Sequence, residues 1–373
     1  MSFFTRRQPS VTAQVDANSK QTKLTGGQLS KVDPLWADIK SLSKETLKIW
    51  RFSSPTTLVP VPEEDSGFFF NNEMYVILQA TNKNAKMCFN VHYWIGMDRA
   101  KTSDTSPPPK VLELMSVLEN QAVLHREIEG YESPQFKNYF KVFGVHNGTA
   151  GNIFNPKNPE AYKPRLLHFQ LNPEKTRVTV FEVPISTKSL TNNDVFIYDE
   201  GTKMTQWNGS RCDEEERIAA RKYIETALKS RKCKCTSEFL DEEDMRPQNE
   251  FSKKLGNDVV PALPAMGSKT DFQKTLYRLS DESRRLVMNK VYTGRIYRSG
   301  INNNDVTFIE TFEVLYGYIG QGASENEKAN TWDQAIRYLK DVNRPYKSIA
   351  VFAAGSYLQE FNEIWDDERQ TNL

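Results

Sequence analysis

Three observations predict an α/β (α+β) fold made of three copies of one unit. Each copy pairs two apolar strands and follows them with one amphipathic helix. Each opens its first central strand with Asn and an acid: Asn72-Glu73, Asn193-Asp194 and Asn304-Asp305. Each closes the second strand with an aromatic, any residue and Gly: Trp94 to Gly96, Trp207 to Gly209 and Tyr318 to Gly320. The period, roughly 110 to 120 residues, makes each copy a domain rather than a solenoid unit.

The totals agree with this division. A chain of 373 residues suits about two or three domains. Lys plus Arg total 49 and Asp plus Glu 48, so bulk electrostatics argue against nucleic-acid binding. No apolar run approaches the roughly 20 residues of a membrane span. Met1-Ser-Phe-Phe-Thr-Arg-Arg7 lacks a long apolar segment, so no secretory signal is expected. Cys88, Cys212, Cys233 and Cys235 are expected as reduced thiols. The four histidines form no i, i+4 or H-E-x-x-H pair, and there is no P-loop or nucleophile elbow, so no enzyme is expected.

Along the chain, residues 1–30 are polar and read as a disordered arm. Leu47 to Arg51 and Thr57 to Pro62 read as short strands, with the prolines at an edge. Glu73 to Gln79 and Cys88 to Gly96 are the first strand pair. After Pro109, Val111, Leu114, Met115 and Leu118 form one stripe of a helix over Lys110 to Asn120. The second copy has strands from Arg165, from Val178, from Asn193 and from Met204. Its helix starts near Glu214, with Ala220, Tyr223, Ile224, Ala227 and Leu228 as the apolar stripe. Acids at its start and bases at its end suit the helix dipole. The third copy runs from Leu276, with strands from Asn304 and Val314. Ala329, Trp332, Ala335, Ile336 and Leu339 mark its helix, and Ser348 to Phe352 is a closing strand.

These residues resemble the gelsolin family of calcium-regulated actin-binding proteins, over about 330 residues from Trp36 to Trp365. The most specific matches are Ile49-Trp50-Arg51, Leu58 to Pro62, Tyr75 to Leu78, His92 to Gly96, His125-Arg126-Glu127 with Tyr131-Glu132-Ser133, and Pro261 to Ala265. Three repeats point to the severin/fragmin subgroup. The resemblance implies, in each repeat, a mixed central β-sheet packed between a long and a short helix. The repeats then span 31–146, 164–257 and 274–373, joined by linkers 147–163 and 258–273.

The resemblance also implies calcium sites. Calcium takes several oxygen ligands and mixes carboxylates with carbonyls, and two facing carboxylates repel unless a cation sits between them. The first repeat offers the Asn72 carbonyl, Glu73 and Asp98, with Thr149 as a further carbonyl. The second offers the Asn193 carbonyl, Asp194 and Glu216, with Asp271. The third offers the Asn304 carbonyl, Asp305 and Glu327. A calcium shared with actin would use Asp104, in a turn where Ser and Pro replace the expected Gly and Ala. In the first helix, Leu112, Ser116, Val117 and Asn120 are the actin-contact candidates, off the core stripe. Basic residues for phosphoinositides are thin: Lys163 and Arg165, then Lys229, Arg231 and Lys232.

The expected function is calcium-activated severing of actin filaments and capping of their barbed ends. Capping without severing, or a phosphoinositide-regulated adaptor with weak actin binding, are the alternatives. Actin monomer and filament are the expected partners. Without actin the chain is expected to be a monomer, cytoplasmic and on the cytoskeleton.

Overall fold

The computed structural model describes residues 33–119, 121–149, 162–231, 234–246, 249–257 and 271–366. The expected N-terminal arm, Asn120, Lys232, Cys233 and most of both linkers lie outside the described residues. In the first repeat, β1 (Thr46–Ser54), β2 (Thr57–Pro60), β3 (Phe68–Phe70), β4 (Met74–Lys83) and β5 (Lys86–Ile95) lead to α1 (Met97–Thr102) and α2 (Pro109–Val117). β6 (Val123–Ile128), α3 (Pro134–Lys137) and β7 (Val142–His146) complete it. The second repeat holds β8 (Arg165–Leu171), β9 (Val178–Val183), β10 (Val195–Asp199), β11 (Lys203–Asn208), α4 (Glu214–Ser230), β12 (Thr236–Asp241) and α5 (Glu250–Lys254). The third holds β13 (Thr275–Ser280), β14 (Val287–Thr293), β15 (Val306–Glu310), β16 (Val314–Ile319), α6 (Glu325–Asp341), β17 (Ser348–Ala353) and α7 (Gln359–Glu363).

One topology occurs three times. The orders β2-β1-β4-β5-β6, β9-β8-β10-β11-β12 and β14-β13-β15-β16-β17 are antiparallel until the last pair, which is parallel. That pair is parallel because the helix between its strands carries the chain back to the same end. Alternate residues face opposite layers. Leu167 and Ile197 join the cluster of α4, while Leu166 and Phe196 face that of α5. Phe308 and Val351 face α6, while Ile309 and Phe352 face α7. Each sheet therefore lies between a longer and a shorter helix, as the resemblance implies.

The sheets do not end where the repeats end. Ile349, Ala350 and Val351 of β17 pair antiparallel with Arg126, His125 and Leu124 of β6, giving one ten-stranded sheet across repeats 1 and 3. β7 and β3 add to β9 and extend the second sheet to seven strands. Strands on both sides of the expected boundary at residue 146 thus share one sheet.

The helices differ in length for a local reason. α4 and α6 each run 17 residues, but α2 has nine. Pro107, Pro108 and Pro109 separate α1 from α2, since proline supplies no amide hydrogen and disfavours helix before it. Pro109 then serves at the first turn of α2, where its fixed φ suits a helix start. Glu119 takes a positive φ of 55° and stops the helix earlier than its apolar pattern implies. Ala329, expected on the apolar stripe of α6, is exposed. No helix among the described residues is long and apolar enough to cross a membrane. Cys88, Cys212 and Cys235 are free thiols.

Candidate metal centres

The repeated sequence marks converge on one backbone arrangement. Gly96, Gly209 and Gly320 donate their N–H to the carbonyls of Glu73, Asp194 and Asp305, each at 3.0 Å. Two residues on, the N–H groups of Asp98, Arg211 and Gly322 donate to the carbonyls of Asn71, Asn192 and Asn303 at 3.0, 2.7 and 2.8 Å. A Cβ on the three glycines would sit 2.2, 2.5 and 2.3 Å from those same carbonyl oxygens. Only glycine permits this approach, which accounts for the invariant glycine of the repeat. The turn before each strand is thereby pinned against the start of the following helix.

The acids of repeats 2 and 3 share a common setting. Glu216 and Glu327 are each about 1 % exposed. Each caps its own helix: Glu216 accepts from the Asp213 N–H (3.1 Å) and Glu327 from the Ser324 N–H (2.9 Å). Each also accepts from the preceding hairpin, from Leu171 N–H at 2.6 Å and Asp281 N–H at 2.9 Å. Burial, opposed by these backbone bonds and reinforced by the nearby Asp194 charge, pushes the Glu216 carboxyl up to about 7. Asp194 is itself held below the carboxylate range, since its bonds to His168 and Thr191 outweigh burial. Asp305 is paired with Arg278. The donor set is carboxylate and carbonyl oxygen without sulfur, which suits a hard cation such as calcium. The buried Glu216 carboxyl, within electrostatic reach of Asp194, is the observation that fits a cation there.

Repeat 1 is built differently. Glu73 faces Arg51 at 3.5 Å. Asp98 is half exposed, accepts from the Asn71 amide at 3.0 Å and lies 3.6 Å from the Lys101 ammonium. The helix-start role of Glu216 passes here to Glu129, which accepts from the Met97 N–H at 2.7 Å. Burial first, then the charges of Glu132 and Asp98, raise the Glu129 carboxyl. Glu129 is absent from the sequence-derived set because it follows β6, not β5. Its only sequence mark is the acid two places after Glu127.

The other expected site residues divide. Thr149 and Asp271 are exposed. Asp104 accepts from the N–H and hydroxyl of Ser106, closing its own turn. Leu112 and Ser116 are exposed on α2. Val117 is a correction: it packs into the core of repeat 1, because the short α2 turns that side toward β5. Lys163 and Lys229 are exposed. Arg165 bonds Glu182 at 3.1 Å. Arg231 is also a correction: it is buried, with Nη1 and Nη2 on Asp199 at 2.8 and 2.6 Å, so it is not available to a lipid headgroup.

A second set of residues joins repeats 1 and 3 and was not foreseen as a unit. Arg126, fully buried, donates to the Pro345 and Lys347 carbonyls (2.8 Å each) and to Thr105 Oγ1 (3.0 Å). Glu127 accepts from Ser348 Oγ at 2.7 Å, from Ser133 N–H at 2.8 Å and pairs with His92 Nδ1 at 3.0 Å. Burial raises the Glu127 carboxyl and depresses the His92 imidazole to about 3. A charged pair inside the apolar strand Val123 to Ile128 is the signal that a polar network lies there.

Comparison with known proteins completes the picture. A family model described as the gelsolin repeat matches residues 177–241. A protein named severin from Echinococcus granulosus is 32% identical over 340 residues, covering 89% of this chain and 90% of that one. Gelsolin-like protein 2 of Lumbricus terrestris is 33% identical over 322 residues, covering 86% and 87%. Gelsolin-like protein 1 of the same worm is 30% identical over 334 residues, covering 88% and 89%. With one sheet topology repeated three times and relatives alike along nearly their whole length, the chain belongs to the gelsolin family.

Proposed function

We propose that the chain is a calcium-regulated actin-binding protein that severs filaments and caps their barbed ends. The observation that carries this reading is the recurring pair of a strand-start acid and a buried helix-start glutamate, Asp194 with Glu216 and Asp305 with Glu327. Calcium, when bound, supplies the positive charge that lets such carboxylates face one another. Asn193 and Asn304 offer the next carbonyls along, since those of Asn192 and Asn303 already accept N–H bonds. To hold the ion, Glu216 and Glu327 would have to shift from some of the backbone bonds they accept. That movement would strain the packing of α4 on the seven-stranded sheet and of α6 on the ten-stranded sheet, and the β6–β17 seam of the latter is the two-state element it would bias. Leu112 and Ser116 on α2 are the exposed anchors for a groove on actin. Glu73, Asp98 and Asp104 serve the first repeat.

The test is pyrene-actin disassembly and barbed-end elongation with calcium and with chelator. Calcium-dependent gain in filament number with slowed growth supports the reading, and no effect of calcium on either rejects it. Capping without severing is the second reading, favoured by the nine-residue α2, which presents a narrower face than α4 or α6. It predicts slowed growth with no gain in filament number. Phosphoinositide binding would rest on Lys163 and Lys229, and liposome co-sedimentation tests it.

A further inference from the structure

Each strand-start acid meets a basic side chain at the same place in its sheet. Continuing the β1–β4 register sets Glu73 opposite Ser53, and Arg51 lies two residues along on the same face. The β8–β10 register sets Asp194 opposite Gln170, with His168 two along. The β13–β15 register sets Asp305 opposite Ser280, with Arg278 two along. Such diagonal neighbours lie about 7–8 Å apart, within reach of long side chains. The contacts are Arg51 Nη1 to Glu73 Oε2 at 3.5 Å, His168 Nε2 to Asp194 Oδ2 at 3.0 Å and Arg278 Nε to Asp305 Oδ2 at 2.5 Å.

We propose that the side chain at this register position is a resident counter-ion that calcium must displace, and that its identity sets the order in which the three repeats load. The inference rests on the calcium reading above. Arg278 has the firmest hold. Its acid is 2% exposed, and its second arm reaches Glu282 at 3.1 Å. A guanidinium keeps its charge under all physiological conditions, so it both occupies the Asp305 oxygen and repels an arriving divalent ion. Arg51 acts in the same way through a longer contact at a less enclosed acid, 13% exposed. His168 reaches Asp194 through one ring nitrogen and has no second arm to hold it. Repeat 2 therefore loads at the lowest calcium, repeat 1 next and repeat 3 last.

The experiment titrates calcium alone by isothermal calorimetry at constant neutral pH into the full chain. Carrying E73Q and D194N leaves the third repeat to report. In that background R278Q raises calcium affinity by about tenfold or more, while R278K, which keeps the charge, stays within about twofold of the parent. Conversely, H168R lowers second-repeat affinity by about tenfold in a chain carrying E73Q and D305N. Thermal melting in chelator checks that each variant is folded, and the two arms address different repeats. Affinities unchanged in both arms overturn the counter-ion role while calcium binding itself stands. A parent and variants that all bind no calcium overturn the calcium reading, and this inference with it.

Discussion

Replacing Arg126 with Met tests the seam between repeats 1 and 3. The guanidinium makes three hydrogen bonds, and two of them cross to the Pro345 and Lys347 carbonyls. Each net bond of this kind contributes roughly 1–2 kcal/mol, more for a charged donor and more again when carbonyls are left buried and unpaired. The two crossing bonds therefore hold the closed arrangement by about 3 kcal/mol, or roughly a hundredfold in the closed-to-open ratio. Methionine keeps the apolar stem and fills much of the space, which limits the cavity term. The assay is hydrogen exchange in chelator, read at the amides of β6 and β17, with β13–β15 as the internal reference. Exchange at Ile349 and Val351 should quicken by about a hundredfold while the β13–β15 amides change little. Ser348→Ala, which removes one neutral donor to Glu127, should act in the same sense by about tenfold. If R126M lowers protection evenly in all three repeats, Arg126 supports the stability of the whole chain rather than the contact between repeats 1 and 3, and the seam argument fails.

Other predictions follow from single residues. Burial depresses the His146 imidazole to about 3 against an ordinary 6.5. The folded state refuses a proton that the unfolded chain accepts, so this stability is complete above about pH 6.5 and is lost as pH falls toward 3. At pH 5 the loss is about 1.5 pH units, or about 2 kcal/mol, and His146→Phe should narrow the difference between pH 7.5 and pH 5 urea melts by that amount. Gly209→Ala places a Cβ 2.5 Å from the Asn192 carbonyl; the turn must shift, and calcium affinity of the second repeat should drop about tenfold or more by calorimetry. Arg231→Met strands the buried Asp199 carboxylate, 0% exposed, and should lower unfolding free energy by about 3–5 kcal/mol in denaturant melts without altering liposome binding. Leu112→Asp, at an exposed site, should weaken actin-monomer binding in calcium while leaving the melting temperature within a degree or two.

Much of each repeat was legible. The strand from Met74 and the strand ending at Ile95 show in continuous apolar runs rich in β-branched and aromatic residues, and α4 shows in its stripe, its acidic start and its basic end. The three Asn-acid dipeptides and three glycines were visible as marks, although the structure alone shows that they touch. The Glu216 and Glu327 positions came from the family resemblance, and the structure adds that each closes a capping box. Asp98 was placed by analogy of position and proves half exposed, while Glu129 reaches the same helix start from another strand. Val117 and Arg231 were misplaced because burial depends on what a side chain packs against. An apolar residue off the stripe and a base after a helix each have an exposed and a buried solution.

The sequence by itself determined the repeated unit, its strand and helix order and the family to which it belongs. These rest on periodicity and short-range chemistry, which side chains write into the chain. Only the tertiary structure decided that β6 joins β17, that β7 and β3 extend the second sheet, and that Arg51, His168 and Arg278 occupy one register position. Edge strands meet through backbone N–H and C=O groups that every residue but proline carries. No side-chain pattern therefore announces which edge will pair with which.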